Sequence, residues 1–403
     1  MKIEKQEIIE GSSYLRSKEG LKFNRVDFMI KNMHSNLAYK NYLTINNLVD
    51  KDQEILTKFR QKFKNYRLAW NDVAKKNYEN DLDFSRLEVN LENNPLCIDI
   101  ETAAICDLAC PHCFREHIIT PDKIMNFDLY KKIINSLLKM DVPSVKLNWR
   151  GEPLLNPKLP RFIEYAKEKG VLEVSINTNA TTLNKEKSEK LIKSGLDLII
   201  FSFDGGTKKT YEELRPGRFK HNSFETVYNN IKNFSVVRKK LNSLFPISKI
   251  QMVLTNETRN EVKQFFNLFS SIVDDVTVTQ YNERGGNLED LLPKEKDKVS
   301  KYLEKNNLPK DTPHLTEANE KIYISDGRKP CHQIFQRLMI TYDGRVGMCC
   351  HDWGARHCIG FVDKNGFDID QAISKIENEI TKNKKGFELL KNAKRPRSLN
   401  TPE

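Results

Sequence analysis

The stretch Cys106-Asp-Leu-Ala-Cys110-Pro-His-Cys113 separates three cysteines by three and then two residues. Thiolates at that spacing can converge on one metal centre, and three ligands leave a tetrahedral shell one short. An open position admits an outside ligand, which is what chemistry needs. A structural zinc site is the competing reading, with His112 or His117 completing the shell. Three cysteines packed in a core is another, although their small and polar neighbours do not suit a core. The remaining cysteines divide in two ways. Cys331, Cys349, Cys350 and Cys358 form a second group more than 200 residues downstream. Cys97, inside the apolar run Leu96-Cys97-Ile98, reads as a buried strand residue.

Both groups need elements to hold them. From about Leu96 onward, β-branched runs at Leu96 to Ile100, Ser144 to Trp149, Leu172 to Ile176, Leu198 to Phe203, Lys249 to Leu254 and Asp275 to Thr279 alternate with helical patterns. The helices are expected over Phe127 to Met140, Leu159 to Lys169, Lys185 to Ser194, Phe224 to Leu241 and Glu261 to Ile272. Six strands alternating with five helices predict an α/β fold with a parallel sheet of right-handed crossovers, curled into a barrel or left open. Ligands then gather at the carboxyl ends of the strands, and the first cysteine group lies just beyond the first of them. Residues 1–95 do not share this rhythm. Ile55, Phe59, Phe63, Tyr66, Trp70 and Val73 recur at helical steps, so Asp52 to Tyr78 is expected to be an amphipathic helix. Its aromatic stripe either packs on the barrel or serves as a binding arm. Residues 285–329 read as a polar connection with a short helix at Glu295 to Glu304. Within 330–403, Phe335 to Val346 reads as two strands about an Asp343-Gly344 turn, a hairpin signal.

The triplet and its companions resemble the radical S-adenosylmethionine (SAM) superfamily. Trp149-Arg150-Gly151-Glu152-Pro153 is similar to that family's Gly-Gly-Glu-Pro loop, with Arg150 in place of the first Gly. Ser175-Ile176-Asn177-Thr178-Asn179-Ala180 is similar to its Thr-Asn-Gly segment, with Ala180 in place of Gly. Phe201-Ser202-Phe203-Asp204-Gly205, followed by Tyr211 and Arg215, again follows the family's usual reading. The resemblance covers roughly residues 95–365 and implies a partial (β/α)6 TIM-like barrel at 96–284. It further implies a [4Fe–4S] cluster on Cys106, Cys110 and Cys113 whose open iron binds SAM. One electron then cleaves SAM to methionine and a 5′-deoxyadenosyl radical, which abstracts a substrate hydrogen. Glu152 is expected at the SAM ammonium group, beside Gly151, where a missing Cβ allows close approach. Ser175, Asn177, Ser202 and Asp204 are expected at the methionyl carboxylate and the ribose. His112 is expected to flank the adenine; an exposed loop histidine is the alternative.

The second group resembles the auxiliary-cluster extension called SPASM or, when shortened, twitch. Cys331 and Cys349 flank the hairpin, while Cys350 and Cys358 are the only further cysteines where the family usually has a later pair. The expected occupant is an auxiliary Fe–S cluster; a zinc site, a [2Fe–2S] site or no metal are the alternatives, with His351, Asp352 or His357 as substitute ligands. Asp352 and His351 are also candidates for a proton acceptor on the substrate side.

The chain has 403 residues, of which 66 are Lys or Arg and 55 Asp or Glu, a net +11. With 38 % hydrophobic and 30 % charged residues it is neither fibrous nor of low complexity. The basic residues are interspersed with acids, which favours a solvated surface over a nucleic-acid footprint. No apolar run approaches the roughly 18 to 20 residues that a membrane span requires, and the opening residues lack a signal-peptide core. The address expected is cytoplasmic, where thiols stay reduced and cysteines serve as ligands or packing. The expected partners are a flavodoxin- or ferredoxin-type electron donor and a substrate that is a sugar or other small metabolite. A peptide is the alternative substrate, and a non-catalytic zinc- or nucleic-acid-binding protein is the rival class.

Overall fold

The computed structural model describes residues 3–7, 13–79, 95–113, 115, 121–280, 316–318, 321–323, 333–347, 350 and 358–362. An antiparallel pair, β1 (Ile3–Glu7) and β2 (Ser13–Leu21), precedes three helices, α1 (Arg25–Asn32), α2 (Leu37–Ile45) and α3 (Asp52–Glu79). The six expected parallel strands follow: β3 (Cys97–Ile100), β4 (Ser144–Lys146), β5 (Glu173–Thr178), β6 (Leu198–Ser202), β7 (Ile247–Leu254) and β8 (Asp275–Gln280). They are hydrogen-bonded in chain order, each parallel to the next. The crossovers carry α4 (Phe127–Lys139), α5 (Leu159–Glu168), α6 (Lys185–Lys193), α7 (Lys208–Leu214), α8 (Phe224–Lys240) and α9 (Val262–Phe269). Asn126, Asn184 and Ser223 stop the chain before three of these helices by accepting a bond from a first-turn N–H, the usual service of an N-cap side chain.

Period two decides what each sheet face does. Val174, Ile176, Ile199, Phe201, Ile250 and Met252 are fully shielded and pack beneath helix residues such as Leu137, Phe162, Ile192, Phe234 and Phe266. The alternate residues Ser175, Asn177, Ser202, Lys249 and Gln251 turn inward and line a lumen. Strands of a parallel sheet buried on both faces are ordinarily apolar throughout. Here the inner face is polar, so the lumen is a cavity rather than a packed core.

The amino-terminal segment closes the lower end of that lumen. Phe63, Tyr66 and Trp70 of α3 are buried with Met29, Leu43, Leu172, Leu198 and Ile247, at or near the amino ends of the strands. Arg25 and the Tyr66 hydroxyl both reach Glu173, at 3.0 and 3.1 Å. The extension was expected to be helical, yet β2 also pairs antiparallel with β8. Its sequence, Ser-Tyr-Leu-Arg-Ser-Lys-Glu-Gly-Leu, carries a weak strand signal; the open edge of β8 supplies the hydrogen bonds that make it one.

The opposite sheet edge is extended from the far end of the chain. A short helix, α10 (Gln333–Gln336), leads into β11 (Arg337–Ile340), which runs parallel to β3, and then into the hairpin partner β12 (Arg345–Gly347) and β13 (Cys358–Phe361). Gly344 at the turn has φ +90°, a conformation that favours glycine. The resulting sheet has eleven strands in the order β1-β2-β8-β7-β6-β5-β4-β3-β11-β12-β13 and does not close. A separate small pair, β9 (Thr316–Ala318) with β10 (Lys321–Tyr323), lies in the expected polar connection. The helix expected at 295–304 falls outside the described residues.

Candidate active site

The loop after β3 carries Cys106, Cys110 and Cys113 and is pinned on two sides. On one, Glu152 N donates to Ile105 O at 2.8 Å, and a Cβ on Gly151 would lie 2.2 Å from Ala103 O. No side chain fits there. On the other, Ala109 N donates to Pro216 O at 2.9 Å and Arg218 N to Asp107 O at 2.8 Å. The three thiols line the lumen together with Gly151, Glu152, Ser175, Asn177 and Ser202. Burial, reinforced by Glu152, pushes the Cys106 thiol up to about 12, and burial drives Cys110 well above the ordinary range. Metal-free, these are protonated thiols, and iron would displace the protons. Among the described residues no three Cys, His, Asp or Glu side chains close on a single-ion site.

Glu152 is buried at the head of the next loop. Its Oε1 accepts from Leu154 N at 3.0 Å and from the Thr178 hydroxyl at 2.6 Å, and its Oε2 from Asn179 N at 2.7 Å. The carboxylate thus staples the loop after β4 to the end of β5. Burial raises its pKa to about 7 against the pull of these three donors, so a cationic ligand beside it would favour the ionised form. Asn179 extends the staple, donating to Asp107 Oδ1 at 2.8 Å, with its amide 3.9 Å from Cys106 Sγ. Ala180 has φ +58°. The turn keeps the left-handed backbone that glycine would take there, at a cost of about 1–2 kcal/mol for a residue with a Cβ.

Asp204 was expected at a ligand hydroxyl or carboxylate, and the structure gives its oxygens to protein groups. Oδ2 lies 3.0 Å from His112 Nε2 and accepts from Arg215 Nε and a terminal Arg215 nitrogen at 2.8 and 2.6 Å. Oδ1 accepts from Val253 N at 2.7 Å. Burial opposes the charge, but Arg215 and His112 outweigh it and hold the carboxyl far below the usual range. Asp204 is absent from the lumen wall, whereas both side chains it holds, His112 and Arg215, are on it. Arg215 and Asn179 enter the sequence reading only as motif positions without a role, because the partner of each depends on which loops meet.

Two buried acceptors on the lumen wall are unmatched among the described residues. His112 Nε2 faces Asp204, so in the neutral ring Nδ1 is the acceptor, and it has no hydrogen-bond partner; neither has Asn177 Oδ1. Buried polar atoms are normally satisfied, and both of these residues border a cavity of about 720 Å³. A ligand with N–H groups would supply the missing donors. SAM offers an ammonium and an adenine amine, and the thiol triplet beside them offers the ligands for a cluster, so the residues fit both groups.

The second cysteine group is described in part: Cys331, Cys349, His351 and Asp352 lie outside the described residues. Cys350 is buried on the lumen wall, with Sγ 2.9 Å from Gln333 Oε1 and its carbonyl accepting from Trp149 Nε1 at 3.2 Å. Cys358 is exposed on β13 and pairs in register with Gly347. The departure at Arg150 has a structural account. Arg150 forms a fully buried two-point ion pair with Glu101, at 2.7 and 2.8 Å, and Glu101 Oε2 also accepts from Tyr342 N at 3.1 Å. The loop bearing Glu152 is thereby tied to the carboxyl-terminal hairpin.

Residues 100–269 match the family model of the Radical SAM superfamily. A probable GTP 3′,8-cyclase of Methanococcus maripaludis is 34 % identical over 113 residues, 28 % of this chain and 37 % of that protein. A probable GTP 3′,8-cyclase of Methanocaldococcus jannaschii is 25 % identical over 253 residues, 60 % of this chain and 81 % of the other. The chain spans about a third of the length of the first curated relatives it matches, between 30 % and 37 %. Among solved structures, Streptococcus suis SuiB bound to its precursor peptide SuiA aligns with a TM-score of 0.47 at 16 % identity, covering 87 % of this chain and 82 % of that one.

Proposed function

The chain belongs to the radical SAM superfamily of enzymes, and we propose that its lumen binds SAM at a [4Fe–4S] cluster held by Cys106, Cys110 and Cys113 and abstracts a hydrogen atom from a small polar substrate. When bound, cluster and SAM supply a carbon radical from one electron. The rest falls to the protein. Glu152 receives the SAM ammonium group, Asn177 Oδ1 and His112 Nδ1 take N–H bonds from the ligand, and Ser175 and Ser202 hold hydroxyl or carboxylate groups. Asp204 is a positioning residue, fixing His112 and Arg215. Gly151 lets the cysteine loop close against its neighbour and exclude water.

The observation that carries the reading is the pair of unmatched buried acceptors in the same cavity wall as the thiol triplet. Anaerobically reconstituted protein reduced with dithionite is expected to convert SAM to equal amounts of methionine and 5′-deoxyadenosine. The Cys106→Ala/Cys110→Ala/Cys113→Ala variant should make neither, and cleavage by that variant at the parent rate would defeat the proposal.

A sugar or similar metabolite suits a lumen closed below by α3 and lined by Ser175, Ser202, Lys249 and Gln251. The relatives named as probable GTP 3′,8-cyclases act, by that name, on a nucleotide, which is also a small hydroxylated molecule. For the second group we propose an auxiliary cluster on Cys331, Cys349, Cys350 and Cys358. In support, Cys350 touches Gln333, two residues after Cys331, and Cys358 pairs with Gly347, two residues before Cys349. Iron content should drop from about eight to about four per chain in Cys331→Ala/Cys349→Ala. Asp352 and His351, next along the chain from the lumen-facing Cys350, are proposed as the substrate-side proton acceptors.

A further inference from the structure

The reaction proposed above consumes an electron, and the carrier that delivers it must seat close to the cysteine loop. The segment Pro216 to His221 is laid on that loop by the Ala109–Pro216 and Arg218–Asp107 bonds and by a bridge between Leu108 and Gly217, and is exposed from Arg218 onward. The Arg218 guanidinium covers the Phe219 ring at 4.9 Å and donates to Asp122 at 2.7 Å. It thereby joins this segment to Pro121–Ile124, whose Ile124 is bridged to Ala103 of the same loop.

Two apolar side chains stand out on this rim. Phe219 is 62 % exposed and Ile124 43 %. Around them Lys123 and Lys220 are exposed and have no ion-pair partner among the described residues, while the one acid at the centre, Asp122, is taken up by Arg115 and Arg218. An exposed ring within a cationic border is the complement of an acidic surface with an apolar centre.

We propose that this rim is the docking surface for a small acidic one-electron carrier protein of the flavodoxin type. The proposal rests on the radical SAM reading. One electron passes from the reduced carrier, which is oxidised by one unit, to the cluster, which is reduced by one; no bond or proton crosses the interface.

The test compares two donors on Phe219→Ala and on Lys123→Glu/Lys220→Glu, changes confined to exposed side chains. A purified flavodoxin is titrated onto holoenzyme for Kd at low and high salt. The rate of 5′-deoxyadenosine formation is then measured with reduced flavodoxin and separately with dithionite, which needs no docking surface. Kd is expected to weaken about tenfold or more in both variants and in the parent at high salt. Flavodoxin-driven turnover should fall in parallel, with dithionite-driven turnover within about twofold of the parent. Variants that bind flavodoxin and accept its electrons like the parent would overturn the surface. So would a rim that binds a DNA duplex and no flavodoxin. A parent that cleaves no SAM with either donor would instead overturn the underlying reading, and the surface with it.

Discussion

At Glu152, burial and hydrogen bonding pull in opposite directions. The carboxyl is fully enclosed, which favours its neutral form, yet three donors point at its two oxygens. A bound ammonium would settle the balance toward the anion. Glu152→Gln keeps the shape and removes the charge, so it should weaken SAM binding by about 10- to 100-fold, the worth of a charge-assisted hydrogen bond. Equilibrium dialysis with labelled SAM would measure this, and an unchanged Kd would remove Glu152 from the SAM contacts. At this scale the gathering of three cysteines at one lumen was readable from their spacing, and the place of Glu152 beside them from its loop. The tasks of Asp204 and Arg215 were not. Whether an aspartate faces a ligand or an arginine depends on which loops meet, and β6, α7 and β7 meet only in the fold.

Between elements, the Arg150–Glu101 pair ties the loop after β4 to the end of β3 and, through Tyr342 N, to the hairpin. Breaking one side of a buried pair leaves an uncompensated charge. Arg150→Ala should therefore cost about 3–5 kcal/mol, and Glu101→Gln/Arg150→Met should recover much of that loss. Thermal unfolding of the three proteins decides it; a double variant no better than Arg150→Ala would contradict the account. The aromatic stripe of α3 is a second joint. Trp70 is buried, its carbonyl accepts from Gln336 Nε2 at 2.8 Å, and Arg337 lies over its ring at 4.9 Å. Trp70→Ala should cost about 3–5 kcal/mol, seen as a lower Tm, and an unchanged Tm would show that the lower end of the lumen does not depend on α3. The six parallel strands were legible to within a few residues because apolar alternation and helical spacing are local. The pairing of β2 with β8 and of β11 with β3 was not legible, since an edge strand takes its partner from whatever edge is open.

For the molecule as a whole, a polar lumen inside an apolar outer layer leaves stability to that layer and to a few buried pairs below the cavity. Asp274 is one such member. Burial opposes its charge, but Arg238, at 2.5 and 3.0 Å, and the Ser248 N–H and hydroxyl bring its carboxyl below the ordinary range. A depressed folded-state pKa contributes stability above the unfolded value near 4, and loses it as pH falls below that. The Tm of the parent should thus drop on acidification below about pH 4 more steeply than that of Asp274→Asn, which starts lower; parallel curves would contradict this. The surplus of 11 positive charges says nothing by itself about partners, and only the fold collects some of it around Phe219. No helix among the described residues is long and apolar enough to cross a membrane.

A cluster held by the three thiols, with a site open to SAM, is proposed for the lumen whose wall carries the two unmatched acceptors. The EPR spectrum of the reduced, reconstituted Cys331→Ala/Cys349→Ala protein, in which that cluster stands alone, tests this when recorded with and without SAM. The account predicts a [4Fe–4S]⁺ signal from about four irons per chain, a shift in its g-values when SAM is added, and loss of both when Cys106, Cys110 and Cys113 are also replaced by Ala. A signal that ignores SAM, or one that survives the triple replacement, would contradict it.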